Sequence, residues 1–334
     1  MKEDENFMGI FKYFKSKKPK PSLENVVSVE NNRHNDKVIR CTLNQENDAR
    51  TEGLGLDKFE NWQMYYFKSH PGLYLIRNPF TNLGQRYWIR KCLEEYPRKP
   101  NKTNIDFEVY LEDWWETCYS NEVYDQSLLQ KLRWTTLGYH HNWDTKVYTD
   151  ENQSPFPPEL AELADVVALY LGCTTFKAQA AIVNYYYMKS TLSAHTDHSE
   201  INLEAPLFSF SFGQSAIFLI GGLDKSVAPT AILLQSGDIL VMSKEARLCY
   251  HAVPKILPAS STPWNENLNE VTEKISLYKY ISQSVDFHKN MNRNINCNEW
   301  SKFGNYVDKS RININVRQVL KENQNRLQCD VLLS

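Results

Sequence analysis

A chain of 334 residues with a formal net charge of −2 has room for a sizeable core but no polyelectrolyte field, so any nucleic-acid partner has to be held by local patches. The seven cysteines are odd in number, scattered and without a C-x-x-C, which fits free thiols in a reducing compartment better than a disulfide frame or a zinc site. No apolar run reaches the length of a membrane span, and the start Met1-Lys2-Glu3-Asp4-Glu5 lacks a secretory segment and is too acidic for a standard mitochondrial presequence, so an intracellular protein is expected.

In chain order, Phe7 to Phe14 followed by Lys15 to Lys20 reads as a solvated tail, with a short amphipathic basic segment as the other reading. Residues 21–58 are polar and read as linker. From Trp62 the texture becomes aromatic and strand-like through Ile76, with a turn at His70-Pro71-Gly72. Leu83 to Tyr96 is expected as an amphipathic helix, 97–106 as a basic loop and Gln126 to Trp134 as helical. Pro157-Pro158 opens a helix to Leu171 that Gly172 stops.

Downstream the pattern is β-like: Ala178 to Met188, Leu207 to Phe212, Ala216 to Ile220, Thr230 to Leu234, Ile239 to Ser243 and Ile312 to Leu320. Short strands at this spacing suggest a double-sheet jelly roll, within an α+β fold. Residues 255–300 read as a surface insertion, and Trp300 to Val307 as a short helix. The expected organisation is a basic segment and linker over 1–60, a helical and aromatic extension over 61–175, the jelly-roll core over 176–322 and a tail over 323–334.

Chemistry enters at His195-Thr196-Asp197, where i and i+2 put an imidazole and a carboxylate on one face of a strand. With a second imidazole, for which His251 is the candidate, they make the 2-His-1-carboxylate triad of non-haem Fe(II) oxygenases. His198 points away from that face on a strand and is read as a non-ligand. In Arg311-Ile312-Asn313-Ile314-Asn315-Val316-Arg317 the alternation is strict. The polar face is either the solvent side of an edge strand or a pair of guanidiniums facing a dicarboxylate, which Arg suits by its bidentate fork and permanent charge. Asn184 and Tyr186 share a strand face in the same way and are either an ordinary face or the rest of that site. A dicarboxylate site beside such an iron implies 2-oxoglutarate, with the open metal positions serving its chelating end and O2.

Asn184-x-Tyr186, His195-x-Asp197, His251 and Arg311-x5-Arg317 fall in the order of the AlkB family of Fe(II)/2-oxoglutarate dioxygenases, which the chain resembles from about Trp62 to Leu320. Leu132-Arg133-Trp134-Thr135-Thr136-Leu137-Gly138-Tyr139-His140 and Phe208-Ser209-Phe210-Ser211-Phe212-Gly213-Gln214-Ser215 are most similar to its eukaryotic homologue 1 branch. The resemblance implies a double-stranded β-helix core under an N-terminal nucleotide-recognition lid. It implies iron ligands at His195, Asp197 and His251, and 2-oxoglutarate contacts at Asn184, Tyr186, Arg311, Asn313 and Arg317, with Tyr185 counted in the same strand.

Further, it implies decarboxylation of 2-oxoglutarate to succinate and CO2 with hydroxylation of a methyl on a nucleobase. An N-methyl would be lost as formaldehyde and a C-methyl kept as hydroxymethyl. The substrate class is tRNA (1-methyladenosine, 5-methylcytosine) or DNA (N6-methyladenine), and the compartment nuclear or mitochondrial. An unpaired or flipped base would be gripped by Tyr139, His140 and His141, and by Trp115 unless that ring is simply packed on the core. Ser199 stands where the bacterial enzyme has an acid that helps hold a cationic base, which leans away from alkylation repair and toward tRNA. Backbone grip is expected from Arg86, Arg90, Lys91, Arg98, Lys99 and Lys102 and from Lys15 to Lys20. A monomer without membrane contact is expected. The competing readings are a 2-oxoglutarate oxygenase acting on methylated protein and a catalytically silent jelly roll.

Overall fold

The computed structural model describes residues 6–30, 36–120, 124–266, 268–271 and 278–327. In chain order the elements are α1 (Phe7–Lys15), β1 (Val38–Cys41), α2 (Arg50–Gly53), β2 (Gln63–Phe67), β3 (Leu73–Arg77), α3 (Asn82–Arg90), β4 (Lys102–Thr103), α4 (Trp114–Cys118), α5 (Gln126–Lys131), β5 (Trp134–Gly138) and α6 (Pro158–Tyr170). There follow β6 (Ala180–Tyr187), β7 (Leu192–His195), β8 (Leu207–Gly213), β9 (Ser215–Ile220), β10 (Thr230–Leu234), β11 (Ile239–Met242), β12 (His251–Leu257), α7 (Ser284–Asn292), α8 (Cys297–Val307) and β13 (Ser310–Arg317).

Among the described residues the strands form two antiparallel sheets. One has nine strands in the order β1-β2-β3-β11-β8-β13-β6-β5-β4, the other four in the order β10-β9-β12-β7. Strand parity sorts their side chains into layers. Ile312, Ile314 and Val316 of β13, Val183 and Tyr185 of β6, and Phe208, Phe210 and Phe212 of β8 all enter the core under α3, α4, α6, α7 and α8. Their alternates on the same strands face the smaller sheet. The space between the sheets closes toward one end with Leu73, Leu75, Ala216, Ile220, Ile232 and Leu240.

Several segments are more ordered than their composition suggests. Helix α1 lays Phe7, Phe11 and Phe14 on Ile217, Leu219, Ala231 and Ala252 of the smaller sheet. It is capped by the Asn6 side chain, which accepts from Gly9 N at 2.8 Å, so the i, i+4, i+7 aromatic spacing is a docked face and not a tail. The expected linker 21–58 is stitched down by β1 pairing with β2, by a bridge between Val27 and Ile232, and by Arg50, whose guanidinium meets Asp48, Glu162 and Asp165. Residues 1–5, at the head of the expected basic segment, and 328–334 of the expected tail lie outside the described residues.

The boundary expected at 175 is not a boundary of layers: β2, β3 and β5 belong to the same sheet as β6, β8 and β13. Residues 255–300 are not a surface loop where described, since Trp264, Phe287 and Met291 are buried in the main core. Helix α5 ends at Lys131, because Trp134 already pairs as the first residue of β5 with Asn184. Helix α6 stops where expected, with Gly172 in the left-handed region at φ +76°. No helix among the described residues is long and apolar enough to cross a membrane.

Three of the cations expected to grip a backbone are structural. Arg86 is buried and donates to the carbonyls of Trp264 and Asn294, Arg90 pairs with Glu94 and Glu299, and Lys91 with Glu95 and Glu159. Helix α3 is buried on all its faces between sheet and α7, so its charges had to find partners inside.

Candidate metal and cosubstrate site

The space between the sheets opens into a cavity of about 650 Å³. On one wall β7 ends at His195, directly opposite His251 at the start of β12. This register brings together two imidazoles 56 positions apart, with ring centroids 4.2 Å apart. Asp197, two residues past His195, places Oδ1 at 4.0 Å from His195 Nε2 and Oδ2 at 3.8 Å from His251 Nε2. The three ligand atoms lie within 4.8 Å of one another, a spacing that suits a single ion.

Both imidazoles are oriented by backbone. His195 Nδ1 lies 2.9 Å from Ser193 O and His251 Nδ1 lies 3.1 Å from Cys249 O, so each Nδ1 carries the proton and each Nε2 is left as a donor atom for a metal. Burial, and then the neighbouring His195, hold His251 down to about 4, so it is the neutral, ligating form at neutral pH. Burial works against a charge on Asp197, but Arg317, His251, His195 and Arg247 together outweigh it and keep that carboxyl well below the usual range. Two imidazoles offering Nε2 and an ionised carboxylate are the donor set a divalent first-row metal takes.

The polar face of β13 also lines the cavity. Arg311 sits opposite Tyr186 and Asn313 opposite Asn184 across the β13–β6 pair, and all four line the cavity. Arg311 is 1% exposed. Its Nη2 donates to Ser211 Oγ at 2.8 Å, whereas Nε and Nη1 are buried without a partner. Burial pulls its guanidinium down to about 10, outweighing the opposite influence of Tyr186 and Asp238. Tyr186 is pushed up to about 12 by burial and stays a phenol, a donor beside that guanidinium. An unpaired buried guanidinium flanked by a phenol and an amide fits one end of a dicarboxylate.

Not every expected contact falls in place. Tyr185 has the opposite parity: it is buried under the helices and donates its hydroxyl to Cys92 O at 2.5 Å, away from the cavity. Asn313 has its amide nitrogen on Ser209 Oγ and Phe210 O, and its oxygen accepts from Asn315. Arg317 is not free, since it meets Asp197 Oδ2 at 2.9 Å and Glu200 Oε1 at 3.0 Å. Of the two arginines expected there, Arg311 is the one left with unpartnered nitrogens.

Of the residues expected to grip a base, His141 alone lines the cavity. Trp115 stacks on Phe303 at 4.9 Å and 9° inside the main core, the packing role held against it. His140 is buried and bonds Thr136 Oγ1 at 2.8 Å, and Tyr139 is buried and donates its hydroxyl to Asp150 Oδ1 at 3.0 Å, so neither lines the cavity. The segment after β5 instead presents His141 and Trp143, whose rings are 4.7 Å apart, with Tyr148 5.5 Å from His141 and Lys146 between Trp143 and Tyr148 in sequence. The i, i+2 spacing of His141 and Trp143 was a readable signal. Glu200 and Arg247, buried beside Asp197, carried none. His198 is exposed, bonds Thr196 and stands outside the three-ligand cluster.

A family model described as the 2OG-Fe(II) oxygenase superfamily matches residues 72–317. The human protein named nucleic acid dioxygenase ALKBH1 is 40% identical over 301 residues, covering 86% of this chain and 75% of that protein. The tRNA demethylase abh1 of Schizosaccharomyces pombe is 36% identical over 222 residues, covering 60% of this chain and 73% of that one. The DNA N(6)-methyladenine demethylase ALKBH1A of Arabidopsis thaliana is 28% identical over 345 residues, covering 91% and 90%.

Proposed function

The chain belongs to the 2OG-Fe(II) oxygenase superfamily, and from that membership we propose that it oxidises methyl groups on nucleobases, with tRNA as the first substrate and DNA N6-methyladenine as a further one. His195, Asp197 and His251 would hold Fe(II), and Arg311, with Tyr186 and Asn184, the distal carboxylate of 2-oxoglutarate. Bound together with O2, these supply the oxidising power to hydroxylate a methyl group, while the cosubstrate leaves as succinate and CO2. The observation that carries the reading is the buried, unpaired Arg311 in the same cavity as the three-ligand cluster.

The protein's own contribution is positioning. Leu192, Phe218, Leu234, Leu240, Met242 and Val253 give the cavity wall an apolar part, against which a reacting methyl would be shielded from water. His141, Trp143 and Tyr148 offer ring faces for an unpaired or flipped base, and Lys146 a cation for its phosphate. The relatives' names support nucleic acid as substrate and include both a tRNA and a DNA demethylase. We take the acting species to be a monomer, and its compartment to be nuclear or mitochondrial on the strength of the family resemblance.

The test is 2-oxoglutarate turnover to succinate with Fe(II), formaldehyde read in parallel, on a tRNA stem-loop carrying 1-methyladenosine. Wild type should show substrate-stimulated succinate and formaldehyde, and Asp197→Ala neither. Succinate without formaldehyde or loss of the mark moves the substrate to a C-methyl such as 5-methylcytosine, and absence of both in wild type removes the proposal.

A further inference from the structure

Beside the three-ligand cluster lies a buried chain of alternating charges. Arg247 donates from Nη1 to the backbone oxygen of Asp197 at 2.6 Å and from Nη2 to Glu200 Oε2 at 2.8 Å. Glu200 Oε1 takes Arg317 Nε at 3.0 Å, and Arg317 Nη2 reaches Asp197 Oδ2 at 2.9 Å. The side chains of Arg247, Glu200 and Arg317 are each 2–3% exposed. Two guanidiniums and two carboxylates balance, and Arg317 is shared between an acid in the metal cluster and one outside it.

Glu200 has a further partner. Tyr148 donates its hydroxyl to Glu200 Oε1 at 3.3 Å, and burial first, Glu200 and Asp197 later in order, push that phenol up so that it stays a donor. Tyr148 belongs to the segment after β5 that also carries His141 and Trp143 on the cavity wall. A continuous run of bonds therefore joins the metal carboxylate to the segment that would face a base: Asp197, Arg317, Glu200, Tyr148.

We infer that Glu200 is a positioning residue for Asp197, and that through Tyr148 it couples metal occupancy to the order of segment 139–150. The inference rests on the metal site proposed above. A dication on Asp197 draws on the charge that Arg317 otherwise satisfies, and Glu200 is what keeps Arg317 neutralised when that happens. Without Glu200 the guanidinium is left to Asp197 alone and competes with the metal for it. Fixing Asp197 fixes Arg317, then the Glu200 oxygen, then the acceptor of Tyr148. Buried ionic runs of this kind lose much of their value when one member is removed, because its partner stays buried and unpaired.

The experiment uses Mn(II) as a redox-silent metal on the full chain, read by titration calorimetry and by amide hydrogen exchange. Wild type should bind Mn(II) and slow exchange over 139–150 when it does. Glu200→Gln should bind it about 10–100-fold more weakly. Tyr148→Phe should bind it within about threefold of wild type, yet show no metal-dependent slowing over 139–150. Glu200→Gln affinity equal to wild type overturns the positioning role, and metal-dependent slowing retained in Tyr148→Phe overturns the coupling. Should Glu200→Gln not fold by circular dichroism, Tyr148→Phe decides the coupling alone. A wild type that binds no Mn(II) removes the metal site and this inference together, which is distinct from a wild type that binds while the variants behave alike.

Discussion

Replacing Arg311 with Met separates a ligand-binding cation from a structural one. Arg311 makes one side-chain hydrogen bond, to Ser211, and its two other described nitrogens are buried and unpaired. Its depression to about 10 corresponds to roughly 3 kcal/mol disfavouring the charged form in the ligand-free fold. Met keeps the length of the stem and removes that cost, at the loss of one hydrogen bond worth about 1 kcal/mol. The ligand-free variant should therefore unfold in urea at equal or higher free energy than wild type, by up to about 2 kcal/mol. Charge-assisted bonds to a carboxylate are worth about 1.5–3 kcal/mol each, so losing about 3 kcal/mol of cosubstrate binding should raise KM for 2-oxoglutarate about 100-fold. Succinate formation against 2-oxoglutarate concentration, and urea unfolding without cosubstrate, read the two effects. A KM within threefold of wild type, or a variant more than about 2 kcal/mol less stable as a cavity mutant is, would refute the assignment.

Three other outcomes follow from the packing. His140 is held at about 4 by burial, then by Lys102, against 6.5 unfolded, so it binds fewer protons folded than unfolded; its contribution is intact above about pH 6.5 and fades toward pH 4, about 2 kcal/mol being gone at pH 5, and His140→Phe should flatten that part of the urea stability profile measured at pH 7.5 and 5. Trp115→Ala should cost about 3–5 kcal/mol as a core truncation, whereas Trp143→Ala, at a position 42% exposed, should cost under about 1 kcal/mol and raise KM for nucleic acid; equal stabilities of the two would contradict the placement of Trp115. Phe11→Ala should lower stability by about 3–5 kcal/mol by loosening α1 from the smaller sheet, and thermal unfolding indistinguishable from wild type would return that helix to a solvated tail.

What the sequence determined is what strand parity and local punctuation determine. Alternation in 311–317 put Arg311, Asn313 and Arg317 on one face and Ile312, Ile314 and Val316 on the other, and the structure has them so. The i, i+2 spacing of His195 and Asp197, the helix closed at Gly172 and the run of short strands are local in the same sense. Parity also counted against Tyr185, since Asn184 and Tyr186 exclude the residue between them, and the side chain is found bonded to Cys92 under the helices.

Only the tertiary structure decided the rest. His251 opposes His195 because β12 pairs β7 in one register, and nothing near either residue sets that register. The unequal fates of Arg311 and Arg317 depend on Asp197 and Glu200 arriving on the loop that follows β7 of the smaller sheet. Trp115 has the composition of a stacking platform, but α8 brings Phe303 against it and makes it core. Residues 21–58 and 255–300 look like loops because their few apolar side chains are widely spaced, yet the sheet edge and α3 gave each of Val27, Val38, Trp264 and Met291 a buried seat. Which face a side chain takes is a short-range property of the backbone, whereas which partner it meets is settled by segments distant in the chain.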